Sequence, residues 1–216
     1  MSGNAARRML LVVDVQNDFC PGGALAVEHG DEVVDVVNRI SARFLRVVAT
    51  QDWHPADHVS FASSHPGRKI LETVEAGGVV QVLWPDHCVQ GTQGAQLHPR
   101  LDQRPVGLIV RKGMASSIDS YSAFFENDGK TPTGLSHYVQ GLGVTEVFVC
   151  GLATDYCVLA SALDARALGV EVFLVADACR GVDQPTGSVK GAIAKMEKAG
   201  VRVVQSGEIP HLAPGQ

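Results

Sequence analysis

Apolar, largely β-branched runs recur along the chain, and several of them end on a polar or reactive residue. The clearest are Met9–Asp14, Leu45–Asp52, Val106–Arg111, Thr145–Cys150, Glu171–Ala176 and Val201–Val204. Runs of this kind, lying between helical segments, read as strands buried on both faces of a parallel sheet. The helical segments show their own spacing. Val33, Val37, Ile40 and Phe44 follow an acidic start at Asp31-Glu32. Val158, Ala162, Ala165 and Leu168 repeat the pattern before Gly169. Val189, Ile193 and Met196 do so again, with Lys195 and Lys198 near the end and Gly200 as a stop. Alternating strand and helix predicts an α/β fold: a doubly wound, mainly parallel six-stranded sheet with helices on both faces. No internal repeat or low-complexity linker divides the chain, so residues 1–216 read as a single domain.

The stretch from Trp53 to Pro105 breaks the alternation. It holds His54, His58, His65 and His87, several glycines and prolines, and little helical period. Compact α/β folds usually connect their elements in about 2–6 residues, and much longer loops are generally functional or disordered. Its Trp, His and Cys content argues against disorder. The expectation is a site-building insertion at about 53–105.

Four segments carry chemistry at comparable places. Asp14 ends LLVVD, Asp52 and His54 end VVATQDWH, Lys112 ends LIVRK, and Cys157 follows VFVCGLATDY. Groups at the carboxyl ends of neighbouring parallel strands gather where open α/β sheets bind their ligands. A carboxylate ending the most apolar strand is costly without a partner or a task, and Lys112 is a candidate partner. A purely structural ion pair is the alternative. Cys157 falls in the first turn of a helix that Thr154 would cap. Such a position favours the thiolate, and unpaired N–H groups there can hold an oxyanion. A cysteine that merely packs the turn against the sheet is the plainer reading. Acid, lysine and thiol together supply a nucleophile, a proton carrier and a charge neutraliser.

Asp52 and His54 alternate along an extended segment, so their side chains share a face. His87, in Trp84-Pro85-Asp86-His87-Cys88, arrives from the far side of the insertion. Two histidines and a carboxylate leave open positions on one divalent ion: zinc first, with iron and manganese as alternatives. His58 and Ser60 are candidate extra ligands, although His58 reads equally well as a surface residue after the turn. His29, His65, His98, His137 and His211 have no ligand-like spacing.

Composition narrows the partners. The chain is 45% hydrophobic and 19% charged, with a formal net charge of −5 and no long basic run, which makes nucleic acid an unsuitable partner. No apolar stretch approaches a membrane span, and Met9–Val13 is too short for a signal-peptide core. Cysteines at 20, 88, 150, 157 and 179 form no CxxC pair and no regular framework, which suits reduced thiols and a cytoplasmic setting. A homo-oligomer is compatible with all of this.

The ordered segments VVDVQNDFCPGGAL, DWHPADHVSF, WPDHCVQGTQGA, RKGMASSIDSYSAF and CGLATDYCV resemble the nicotinamidase/pyrazinamidase branch of the isochorismatase-like cysteine hydrolases. The resemblance spans nearly the whole chain. It implies a triad of Asp14, Lys112 and Cys157, metal ligands at Asp52, His54 and His87, and an oxyanion hole from the N–H groups of Ala153 and Cys157. It further implies a cis Leu152–Ala153 peptide, a pyridine ring held between Phe19 and Trp84, and Tyr121 as a third pocket residue. The implied reaction is metal-dependent conversion of nicotinamide to nicotinate and ammonia through a thioester, with pyrazinamide also accepted, serving NAD salvage. Two alternatives stand beside it: another carboxamide or carbamoyl hydrolase of the same fold, and a metal-stabilised, non-enzymatic flavodoxin-like module. A Rossmann-type dinucleotide enzyme is excluded, because no G-x-G-x-x-G follows the first strand.

Overall fold

A computed structural model describes residues 5–76 and 78–209; His211 lies outside the described residues. The strands are β1 (Arg8–Val13), β2 (Val47–Asp52), β3 (Thr73–Ala76), β4 (Val79–Val82), β5 (Val106–Lys112), β6 (Glu146–Leu152), β7 (Glu171–Arg180) and β8 (Arg202–Val204). The helices are α1 (Val33–Ser41), α2 (Leu135–Gly141), α3 (Leu159–Ala167) and α4 (Ser188–Lys198). Six of the strands form one sheet in the order β5-β2-β1-β6-β7-β8, with every neighbouring pair parallel. The predicted doubly wound parallel sheet is therefore present.

Strand β1 lies at its centre, and from Met9 to Val13 every side chain is buried, which explains its unbroken apolar run. From β1 the chain moves through α1 to β2 on one side. From β6 it moves through α3 to β7 on the other. Right-handed crossovers in opposite directions put α1 and α3 on opposite faces. The junction of β1 and β6 is the switch point, and a crevice opens there at the carboxyl ends of the strands.

Several elements differ from the sequence expectation. Strand β2 starts at Val47, because Leu45 is 49% exposed in the turn before it. Strand β7 continues to Arg180, after a register irregularity against β6. Helix α1 ends at Ser41, so Phe44 lies beyond it and still packs edge-on against Phe148 of β6. The long connection contains an antiparallel hairpin, β3–β4, with Gly78 in the turn before β4. It also contributes bridges His54↔Val89 and Phe61↔Trp84. Helix α2 had not been expected.

Leu11 pairs between Val48 of β2 and Val149 of β6 and has no exposed surface. Leu11→Ala should cost about 2–5 kcal/mol. The check is a urea midpoint shift with unchanged slope.

Candidate functional site

The site begins with strand register. β2 and β5 pair so that Asp52 and Lys112 are direct neighbours. Gln16 holds Asp52 in that place with its side-chain amide, donating to Asp52 O and accepting from Asp52 N–H, both at 2.8 Å. Asp14 follows β1 with φ of 48°, a left-handed conformation that Asp tolerates better than bulkier residues. Its N–H donates to Thr50 Oγ1 at 3.1 Å, and the Thr50 hydroxyl donates back to Asp14 Oδ1 at 2.6 Å.

Lys112 has no exposed surface. An ammonium has three donors. Here they go to Asp52 Oδ1, to Ser120 O at 2.8 Å and to Cys157 Sγ at 3.4 Å. Asp14 Oδ2 lies 2.9 Å from the same nitrogen as an ion pair and has no other partner. Oδ2 is therefore the oxygen free to take a proton. Oxygens of Asp14 and Asp52 and the sulfur of Cys157 all lie within 4.8 Å of one another. With Lys112 among them they make an ionic cluster, not a second cation site.

Burial raises the Asp14 carboxyl to about 6, against the lowering pull of Lys112. Against the downward push of its own burial, Lys112 is held charged by Asp14 and Asp52, well above its usual value. Burial also raises the Cys157 thiol well above its ordinary value, with Lys112 opposing and Asp14 adding to the rise. This corrects the expectation of a resting thiolate. The helix-terminus argument fails because desolvation outweighs it.

The turn around Cys157 differs too. Thr154–Val158 forms one π-type turn ahead of α3, and no side chain caps it. Thr154 is the first residue inside the turn rather than its cap, because Ala153 still has extended geometry as the chain leaves β6. The Leu152–Ala153 peptide is cis.

The second cluster uses the other face of Asp52. His54 Nδ1 contacts Gly113 O at 2.9 Å, and His87 Nδ1 contacts Pro85 O at 2.7 Å. Each carbonyl fixes a proton on Nδ1 and leaves a lone pair on Nε2. Both Nε2 atoms face Asp52 Oδ2, at 3.5 and 3.8 Å, and His54 Nε2 is buried without a partner. Buried lone pairs converging on a carboxylate fit a divalent cation. Against the penalty of its burial, the Lys112 ammonium is the main charge that holds the Asp52 carboxyl well below its usual range.

His58 is buried rather than on the surface, and its ring stacks on His54 at 4.0 Å. Its Nδ1 contacts Ser60 Oγ at 2.7 Å and its Nε2 contacts Ile118 O at 3.0 Å. His54, His58 and Asp119 also lie within ligand range of one another. Both His58 nitrogens are engaged, however, so Asp52, His54 and His87 fit an ion better.

Phe19, Trp84 and Tyr121 line one pocket together with Asp52, His87, Ala153 and Cys157. Trp84 Nε1 donates to Tyr121 Oη at 3.1 Å. The same pocket takes Leu25, Asp119, Tyr156 and Val182, which the sequence reading had not singled out. Tyr156, an aromatic residue directly before the candidate nucleophile and edge-on to Trp84, had a local signal. Leu25, Asp119 and Val182 had none, because only tertiary folding brings their loops to this rim.

The isochorismatase domain profile matches residues 8–208. A nicotinamidase of Acinetobacter baylyi is 46% identical over 200 residues, which cover 93% of each chain. A solved nicotinamidase/pyrazinamidase of Acinetobacter baumannii superposes with a TM-score of 0.92 at 46% identity, over 95% of this chain and 99% of that one. A pyrazinamidase of Pyrococcus horikoshii, solved in complex with zinc, superposes with a TM-score of 0.76 at 36% identity, over 92% and 99%.

Gly113 offers a test of the cation site that needs no activity. It has φ of +60°, and a Cβ there would lie 2.5 Å from His54 Cε1. Gly113→Ala should therefore tilt His54 and weaken zinc affinity at least about tenfold, the scale typical of disturbed supports of metal ligands. Chelator competition measures it, and unchanged affinity would show that His54 takes no part in binding an ion.

Proposed function

The chain belongs to the isochorismatase domain family, and from that membership and the site's geometry we infer that it hydrolyses nicotinamide to nicotinate and ammonia. It is an amidohydrolase, and its product feeds NAD salvage. One observation supports the assignment of roles above all: Lys112 Nζ lies 3.4 Å from a buried cysteine sulfur and 2.9 Å from a carboxylate oxygen that has no other partner, at the edge of an aromatic pocket.

In the proposed mechanism the pocket walls Phe19, Trp84 and Tyr121 hold the ring and exclude water. Cys157 Sγ attacks the carboxamide carbon as its proton passes to Asp14 Oδ2. A carboxyl near 6 is well matched to this transfer at neutral pH. Lys112 stabilises the sulfur's developing negative charge. The N–H groups of Ala153 and Cys157 receive the oxyanion. Asp14 then protonates the departing nitrogen, which leaves as ammonia, and the acid remains as a thioester on Cys157. A water gives a proton to Asp14 and attacks the thioester. The resulting tetrahedral intermediate collapses by breaking the C–S bond, the Cys157 sulfur takes the proton held on Asp14, and nicotinate is released.

Asp52, His54 and His87 would hold the ion, for which we propose zinc: two neutral imidazoles and a carboxylate leave a zinc position open. When bound, the ion supplies a ligand position for the ring nitrogen, which orients the carboxamide toward the sulfur. We place the reaction in the cytoplasm, where the buried, unpaired cysteines remain reduced. Among the described residues no helix is long and apolar enough to cross a membrane.

Ammonia release from nicotinamide is the direct test. Cys157→Ala should abolish it while the unfolding midpoint stays near the parent's, and residual activity within tenfold would remove Cys157 from covalent catalysis. Benzamide, which lacks the ring nitrogen, should lose about 10⁴ in kcat/KM, the scale on which a polar site rejects an analogue that leaves it unmet. Equal rates on both amides, or full activity after chelation, would make the histidine cluster structural.

The pH profile tests Asp14. Its carboxylate must be ionised to accept the thiol proton, and burial puts its titration at about 6. Below that value kcat/KM should fall about tenfold per pH unit. A flat profile down to pH 4 would exclude Asp14 as the base.

A further inference from the structure

Beside the nucleophile lies a buried carboxylate that the reaction does not use. Asp155 is two residues before Cys157 and 8% exposed. It accepts from the N–H of Val182 at 3.0 Å, from the N–H of Asp183 at 2.9 Å and from the Ser188 hydroxyl. Two of these donors lie in the segment from Gly181 to Gly187, which joins β7 to α4, and the third, Ser188, is the first residue of α4. The hydroxyl of neighbouring Tyr156 donates to Gln184 O in the same segment at 2.8 Å. Gly181 permits the close approach, because a Cβ there would lie 2.2 Å from Val189 Cγ2 and 2.9 Å from Asp155 Oδ1.

The segment is closed on itself as well. Asp183 Oδ1 accepts from the N–H groups of Gly187 and Val189, at 3.0 and 3.1 Å. Its middle, Gln184 to Gly187, is exposed. Yet Val182 lines the substrate pocket beside Tyr156 and Cys157. Exposed loops are mobile unless something ties them down, and a mobile loop is a poor pocket wall. The tie here comes from the same turn that carries the nucleophile, so the wall is set in register with the reacting sulfur.

We propose that Asp155 is a positioning residue that fastens the 181–188 loop to the nucleophile turn, making Val182 the wall that limits the bulk of substituents on the substrate ring. The proposal rests on the reading of a pyridine carboxamide as substrate. Asp155 touches neither substrate nor reacting atoms and acts through Val182.

The experiment compares kcat/KM for nicotinamide with that for nicotinamides carrying a methyl at each free ring carbon, on the full-length enzyme. Val182→Ala should raise the methylated-to-parent ratio about tenfold at one ring position or more, the scale of one methyl in an apolar pocket. Asp155→Asn should shift the ratio in the same direction. The double variant should go no further than Val182→Ala alone, because the wall is already gone. A ratio is insensitive to the fraction folded, and Ser188→Ala, which removes one donor of three, should give a smaller shift in the same direction. Amide hydrogen exchange supplies a readout independent of catalysis: Val182 and Asp183 should exchange at least tenfold faster in Asp155→Asn. Unchanged exchange, an unchanged ratio in either single variant, or multiplicative effects in the double would overturn the proposal. A parent enzyme inactive on nicotinamide would instead overturn the substrate reading, and the exchange measurement would still decide whether Asp155 fastens the loop.

Discussion

A fully buried ammonium is the constraint on which the site depends. Lys112 cannot be desolvated without charge partners, and removing one from such a cluster costs far more than the cluster contributes. The fold meets the demand by ending three adjacent strands at one point. Asp14 follows β1, Asp52 closes β2 and Lys112 closes β5. Strand order β5-β2-β1 and the Asp52↔Lys112 register make this convergence unavoidable once the sheet forms. Cys157 enters from β6, across the switch point, and is the only member of the group brought by a turn rather than a strand end.

Asp52 then does two things with one carboxylate. Oδ1 faces Lys112 and Oδ2 faces the two imidazoles. The nucleophile cluster and the candidate metal cluster are thus joined through a single side chain. Because alternate strand residues face opposite sides, a slip of β2 by one residue would replace Asp52 with Gln51 or Trp53 and dissolve both clusters together. The paired hydrogen bonds from Gln16 to the Asp52 backbone oppose that slip. This gives Gln16, which had no assigned role in the sequence reading, a physical task.

The central strands were legible because buried parallel strands leave continuous apolar runs, several of them ending on a polar residue, whereas the edge strands β5 and β8 are partly exposed rather than buried on both faces. The gathering of Asp14, Asp52, Lys112 and Cys157 at one rim followed from that same rule. What the sequence hid was set by tertiary contacts. The dual use of Asp52 depends on the register between β2 and β5, and no local pattern reports it. His58 reads equally well as surface because the turn at Ala56-Asp57 precedes it, whereas its ring nitrogens engage Ser60 and the distant Ile118 carbonyl. The Cys157 thiol was misjudged because a position in a turn suggests a thiolate, whereas full burial decides the balance the other way. Hairpin β3–β4 is short and half-exposed, so its apolar content is too weak to stand out within a long irregular connection.

The neutral resting thiol and the raised Asp14 carboxyl have one cause, and together they make chemical sense. Burial disfavours a free thiolate and, by the same desolvation, makes the adjacent carboxylate a stronger base than an exposed one, so both groups move in the same direction. In the proposed mechanism proton transfer therefore accompanies attack rather than preceding it, with Lys112 beside both groups to stabilise the negative charge. A more exposed site would give a more acidic cysteine but a weaker base. In that mechanism the aromatic walls Phe19, Trp84 and Tyr121 would confine the ring, while the cluster on the far side of Asp52 stands at a distance from the sulfur that one shared carboxylate fixes. Orientation and reactivity in this site therefore come from a single buried charge network rather than from two independent devices.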